Sequence, residues 1–278
     1  MKDGLVRKPA VAGRFYPGDS DALAKDINRY IDQAQPPVSP DRVIGLIAPH
    51  AGYEYSGGTA AYGYKLIAGK PYDRVVVFAL SHQVDFMGAS VFDGSGYATP
   101  LGEVPIDRDV VRSIRKTSPI VTFSPMAHQM EHSLEVQVPF LQSVLGEFLL
   151  VPILFRDQDI ATCQKVVDAL LKALPEEGAT STLVVGSTDL YHGASLQECQ
   201  RQDHLLAETV KEFNEEKFEE RFRRGEIMAC GASSIISTML LSRALGARKF
   251  DILHLTNSAE ITGQMSGYIV GYMSAVLY

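Results

Sequence analysis

Arg42-Val-Ile-Gly-Leu-Ile-Ala-Pro-His50-Ala-Gly-Tyr-Glu-Tyr-Ser-Gly-Gly58 is an apolar run that stops abruptly at a proline, a histidine and three glycines. Val43 to Ala48 is too short and too continuously apolar for a half-exposed strand, and reads as a buried central strand of an α/β sheet. A histidine directly after such a strand sits at the carboxyl edge of the sheet, where ligands of open α/β sheets bind. Taken alone, His50 is explained equally well by a loop hydrogen bond. The chain then repeats the pattern. Arg74-Val-Val-Val-Phe-Ala-Leu80 runs into Ser81-His82, and Ser181 to Gly186 runs into Ser187-Thr-Asp189-Leu-Tyr-His192-Gly193. Between the first two strands, Gly52, Gly57 and Gly58 suit a tight turn and Thr59 to Ala68 a crossing helix. Strand, helix and strand predict that His50 and His82 follow parallel neighbours about 4.8 Å apart, close enough for both imidazoles to reach one ion.

Working outward, a length of 278 residues and a hydrophobic content of 46% fit one α/β domain covering 1–278. The formal charge of -7 argues against a nucleic-acid surface, which needs a positive field. No stretch reaches the length of a membrane span and the amino terminus lacks signal-peptide character, so a cytoplasmic location is expected. Cys163, Cys199 and Cys230 form no CxxC pair, which points away from a disulfide framework or a zinc knuckle.

Helices are expected at Asp21 to Asp32, from Asp107 to Lys116, from Glu131 onward with a bend at Pro139, at Ile160 to Leu174, through the charged Leu196 to Arg224 stretch, and from Cys230 to Leu245. Further strands are expected at Ala89 to Phe92, Ile120 to Phe123, Phe148 to Phe155, Lys249 to Leu255 and Gly267 to Leu277. Pro152 suggests an edge or bulge. Pro100 to Pro105 reads as a hairpin and a flap near the site.

His50 and His82 are neutral nitrogen donors suited to iron, zinc or copper. Cys230 is the candidate third donor, because a helix amino end favours a thiolate; the alternative is a small buried core residue. Asp189 and His192 suit proton transfer, with Asp189 orienting the imidazole or taking part directly, or else a simple turn beside a surface histidine. Glu131 and His132, with His132 and Glu135 on one helical face, suit substrate positioning, binding of a second proton, orientation of a metal ligand, or a buried cap network. His128, His204 and His254 carry less weight. Neither GxGxxG nor Gly-x-Ser-x-Gly is present, which disfavours nucleotide binding and an ordinary serine hydrolase.

Pro49-His50-Ala-Gly-Tyr53, Ser81-His82, Glu131-His132-Ser133 with Glu135 and Pro139, Ser187-Thr-Asp189 with His192-Gly193, and Cys230-Gly231 together resemble the Memo-like family, called AmmeMemoRadiSam system protein B in bacteria and archaea. The resemblance runs from Ala10-Val-Ala-Gly-Arg-Phe-Tyr-Pro17 to the last strands. It implies a single α/β domain with a central mostly parallel or mixed sheet flanked by helices, related to class III extradiol non-haem iron dioxygenases. It places His50, His82 and Cys230 at the family's metal-ligand positions, His192 at the dioxygenases' catalytic histidine, and Asp189, Glu131 and His132 in the pocket. Where those dioxygenases carry a carboxylate this chain has Cys230, a softer donor that moves preference from Fe(II) toward copper or zinc. Ring cleavage is therefore not carried over. The family name further implies radical-SAM and AMMECR-like proteins as pathway partners. The expected function is a metal-dependent oxidoreductase using Fe(II) or copper on an unidentified small molecule. The alternatives are a non-enzymatic binder of a small molecule, peptide or metal, and a zinc-dependent hydrolase.

Overall fold

In the computed structural model, which describes residues 4–175 and 181–278, the apolar runs form the middle of one mixed sheet. Residues 1–3 and 176–180 of the span expected as one domain lie outside the described residues. In chain order the first half holds β1 (Val6–Arg7), α1 (Ser20–Gln33), β2 (Gly45–Ala48), α2 (Tyr53–Ile67), β3 (Arg74–Leu80), β4 (Ala89–Val91), β5 (Gly96–Thr99), β6 (Gly102–Pro105), α3 (Arg108–Thr117), β7 (Val121–Phe123), α4 (Pro125–Gln129) and α5 (Gln137–Val144). The second half holds β8 (Leu149–Phe155), α6 (Ile160–Ala173), β9 (Thr182–Ser187), β10 (His192–Gly193), α7 (Leu196–Lys211), α8 (Glu215–Arg223), α9 (Ala232–Ala244), β11 (Phe250–Asn257), α10 (Ser258–Thr262) and β12 (Ile269–Leu277).

The sheet runs β10-β12-β2-β9-β3-β8-β4-β7, with β11 along the other side of β12. Strands β2, β9, β3 and β8 are parallel, while β12 and β4 flank them antiparallel. Every residue of β3 is buried, as expected for a strand covered on both faces. Alternate residues of β2 show the two layers. Gly45 faces Ser242 of α9, whereas Leu46 faces Gly63 of α2, so the helices cover opposite faces. Helix α1 packs outside α2 through Leu23 and Ile27, each fully buried and worth about 1.5–3 kcal/mol relative to exposure. Asp19, Asp107, Asp159, Ser195 and Asn214 close helix starts with side-chain acceptors.

Several expectations are corrected. Strands β2 and β3 are not neighbours, because β9 lies between them. Gly57 and Gly58 belong to α2 rather than to a turn. A Cβ on Gly57 would lie 2.9 Å from the Tyr30 ring, so glycine there lets α1 and α2 approach closely. The helix expected from Glu131 starts only at Gln137, after consecutive turns. Pro139 therefore sits in the first helical turn, where no intrahelical N–H is required and no bend follows. Strand β8 is interior; Pro152 is accommodated because β4 pairs only with Ile153 to Phe155. Phe213, with a φ of 50°, divides the charged helical stretch into α7 and α8. The β5–β6 hairpin joins β1 in a separate three-stranded sheet. Its end borders Asp73 and Leu149 at the amino rim of the sheet, so it is no flap over the site.

Candidate metal centre and adjoining cleft

Three parallel strands end at one rim. Strand β2 delivers Pro49-His50, β9 delivers Ser187-Thr-Asp189, and β3 delivers Ser81-His82. Cys230, just ahead of α9, joins them because its N–H donates to the Asp189 carbonyl at 3.1 Å. Two strand spacings of about 4.8 Å would hold the backbones before His50 and His82 apart, yet their rings converge, with centroids 5.3 Å apart. One donor atom each from His50, His82 and Cys230 lies within 4.8 Å of the others. Bond lengths of about 2.0–2.3 Å to nitrogen and sulfur call for slightly shorter separations, so after a modest contraction this set could hold a metal ion.

The surrounding hydrogen bonds fix which nitrogen of His50 is available. Ser187 donates its only hydroxyl hydrogen to the Ser133 carbonyl at 2.6 Å and accepts from Gln137 Nε2 at 2.8 Å. Its remaining contact, 3.0 Å from His50 Nδ1, therefore requires that Nδ1 carries the proton. Gln137 is itself oriented by the Tyr64 hydroxyl on Oε1 and by the Pro49 carbonyl that accepts from Nε2. The His50 Nε2 lone pair then points at Cys230 Sγ, 3.0 Å away. Burial, followed by the neighbouring histidines His132, His82 and His192, holds the His50 pKa well below its usual value. The ring is neutral at neutral pH, as ligation requires.

His82 is set by Glu131. The carboxylate accepts from the His82 backbone N–H at 2.5 Å, lies 2.9 Å from His82 Nδ1, and accepts from the Ser133 N–H at 2.9 Å. Burial opposes the charge on Glu131, but these donors outweigh it and hold the carboxyl at about 2. A carboxylate on Nδ1 leaves Nε2 of the exposed His82 as the free donor. His132 stacks on His82 with centroids 4.8 Å apart, and its Nδ1 lies 3.4 Å from Glu131. Burial, partly offset by Glu131, lowers its pKa. His132 and Glu135 do not share a helical face as expected, because 131–136 is not helical and Glu135 turns away toward Arg7.

Cys230 differs from the sequence expectation. Its thiol pKa is raised, by burial and then by Asp189, despite the Asp189 N–H donated to Sγ at 3.2 Å. The residue precedes the helix cap Gly231, and no thiolate is favoured without a cation. A metal ion held by Cys230 and His50 would displace the thiol proton and supply the missing charge.

Asp189 and His192 are close in sequence but do not pair as expected. Asp189 accepts the His50 backbone N–H at 2.7 Å, and burial raises its pKa to about 6. His192 Nδ1 instead meets the Leu190 carbonyl at 2.9 Å, an acceptor that places the neutral ring's proton on Nδ1. His192 is outside the three-donor cluster. Both residues line a 490 Å³ cleft beside it, together with Phe15, Tyr55, His132 and Tyr268. A larger cavity of 720 Å³ at the opposite rim, around Asp73, Glu103 and Leu149, has no histidine or cysteine in its lining. Of the expected minor histidines, His128 is buried against the Tyr97 hydroxyl and His254 stacks on Tyr62 at 4.3 Å. Sequence reasoning missed Ser187 and Gln137 as the pair that sets His50. Ser187 carried the signal of its strand-end position, whereas Gln137 carried none.

The sequence profile of the family described as Memo-like protein matches residues 7–276. A MEMO1 family protein of Nitrosopumilus maritimus is 34% identical over 273 residues, spanning 96% of this chain and 98% of that protein. A MEMO1 family protein of Thermotoga sp. (strain RQ2) is 35% identical over 285 residues, spanning 99% of this chain and 100% of that protein. One from Methanobrevibacter smithii is 32% identical over 282 residues, spanning 98% and 99%.

Proposed function

The chain belongs to the Memo-like protein family, and we propose that it is a metal-dependent oxidoreductase in which His50, His82 and Cys230 hold one Fe(II) or copper ion. The observation that carries this reading is the meeting of the His50 Nε2 lone pair, His82 and the Cys230 sulfur at one rim. Two imidazoles and a thiolate are a donor set for copper, iron or zinc. When bound, the metal would supply electron transfer or Lewis acidity beside the cleft.

The chain's own residues supply the rest. Ser187 and Gln137 lock the His50 tautomer, and Glu131 orients His82. His192, with its proton on Nδ1, offers Nε2 as the base toward a small molecule in the cleft. Asp189 and His132 flank that position. A relation to class III extradiol dioxygenases, one domain over 1–278, a cytoplasmic setting and radical-SAM and AMMECR-like partners belong to the same proposal. No helix among the described residues is long and apolar enough to cross a membrane.

Anaerobic purification followed by element analysis tests the reading. His50→Ala and His82→Ala are expected to abolish stoichiometric metal while circular dichroism stays unchanged; equal metal in all three proteins overturns it. The sulfur donor also favours a second reading, zinc-dependent hydrolysis by an activated water. Stoichiometric zinc without substrate-dependent oxygen consumption selects that reading. Metal or ligand binding with no turnover selects a non-enzymatic binding protein.

A further inference from the structure

Away from the candidate metal cluster, the sheet ends at β7 among the described residues, and the helix beside that edge is strongly basic in an otherwise acidic chain. Arg108, Arg112 and Arg115 of α3 fall at helical spacing on one side and all reach the same carboxylate, Asp93, at 3.5, 3.1 and 2.9 Å. One carboxylate balances one of three guanidinium groups, and Lys116 adds a further cation. Arg112, Arg115 and Lys116 line a 460 Å³ groove whose other wall is Val121, Thr122 and Phe123, the whole of β7. Arg115 also lies over the Phe123 ring, 5.3 Å from its centroid, so the two walls of the groove touch there.

The backbone of β7 is half used. The Ala89 N–H donates to the Ile120 carbonyl, and Ala89 pairs with Val121 in parallel register. In such a ladder the groups of Ile120 and Thr122 turn toward β4, so the Val121 carbonyl and the Phe123 N–H turn outward. A sheet edge with outward backbone groups accepts an added strand. The basic flank decides which strand. A second copy of this edge, or any basic segment, brings like charges together, whereas an acidic segment is drawn in and screened by salt.

We propose that the β7 edge and the α3 face form a docking groove for an extended acidic segment of a partner protein. That segment pairs its backbone with Val121 and Phe123 and sets its carboxylates against Arg112, Arg115 and Lys116. This inference is independent of the metal reading.

The test uses the full chain and a fluorescein-labelled eight-residue peptide of alternating glutamate and threonine, followed by fluorescence anisotropy at low salt. Saturable binding is expected, weakened at least tenfold by the double substitution Arg112→Glu and Lys116→Glu. A second arm leaves the protein untouched: the same peptide N-methylated on alternate residues keeps its charge but loses one edge of backbone donors. It is expected to bind at least tenfold more weakly when the methylated edge is the pairing one. Equal affinity for peptides methylated on either edge and for the unmethylated peptide overturns the proposal, as does an oligothymidylate of equal charge binding as tightly as the peptide. Absence of saturable binding overturns it outright.

Discussion

Glu131 and Glu135 stand four residues apart, are 1% and 0% exposed, and do opposite things. Glu135 gathers Arg7 Nη1, the N–H groups of Ala10 and Val11, and the Tyr16 hydroxyl, all from the amino-terminal arm. Arg7 spends its other donors on the carbonyls of His128 and Glu131, at 2.9 and 2.6 Å. Glu131 gathers the His82 ring and the N–H groups of His82 and Ser133. Both carboxylates satisfy the rule that a buried charge needs partners. What separates them is the partner's chemistry. Guanidinium, phenol and amide stay as they are near neutral pH and tie the arm down, whereas an imidazole can ligate a metal through its other nitrogen.

The strongest way to break this comparison is Arg7→Ala, which leaves Glu135 buried without its countercharge and is expected to cost about 3–5 kcal/mol in urea unfolding. A loss as small as that of an exposed ion pair would show that Glu135 is no structural clasp. Next comes pH. Glu131 titrates at about 2 in the folded chain against an ordinary 4.5, so the unfolded chain binds the proton first as pH falls. Its contribution is present above pH 4.5 and is lost between 4.5 and about 2, by at most about 3 kcal/mol. Glu131→Gln is expected to flatten that part of the stability-pH curve, and an unchanged curve would contradict the assignment.

A smaller effect concerns the metal. Glu131→Ala is expected to lower metal affinity about 10–100-fold in a competitive chelator titration, with less loss of stability than Arg7→Ala. The reverse ranking would exchange the roles of the two carboxylates. The smallest is Tyr16→Phe, expected to cost about 1.5 kcal/mol for one hydrogen bond to a charged acceptor. Metal affinity should not move with it; a drop would mean that the clasp and the centre are coupled.

Much of the fold was legible from local pattern. Arg74 to Leu80 is a strand with the bounds its apolar run implies, and Asp107 caps α3 as its position ahead of an amphipathic run implies. The failures share a cause. Gly57 and Gly58 read as turn formers because glycine permits turns, but the demand on Gly57 came from the Tyr30 ring of another helix. Glu131 and His132 read as a helix start because the apolar stripe began there, while the carboxylate's bonds to His82 held the segment out of helix. Cys230 read as a thiolate because of its helix, whereas burial beside Asp189 set its proton affinity.

The sequence by itself determined the central strands, most helix ends, the placing of His50, His82 and Asp189 at strand ends, and a family pattern carried by ordered motifs. These follow from periodicity and capping, which act over a few residues. Only the tertiary structure decided that β9 enters between β2 and β3, that Ser187 sets the His50 tautomer, that Asp189 serves His50 instead of His192, and that Glu135 clasps the arm while Glu131 faces the histidines. Strand order and hydrogen-bond partners join residues from 49 to more than a hundred positions apart, and no local preference of the chain encodes which distant donor a buried acceptor will meet.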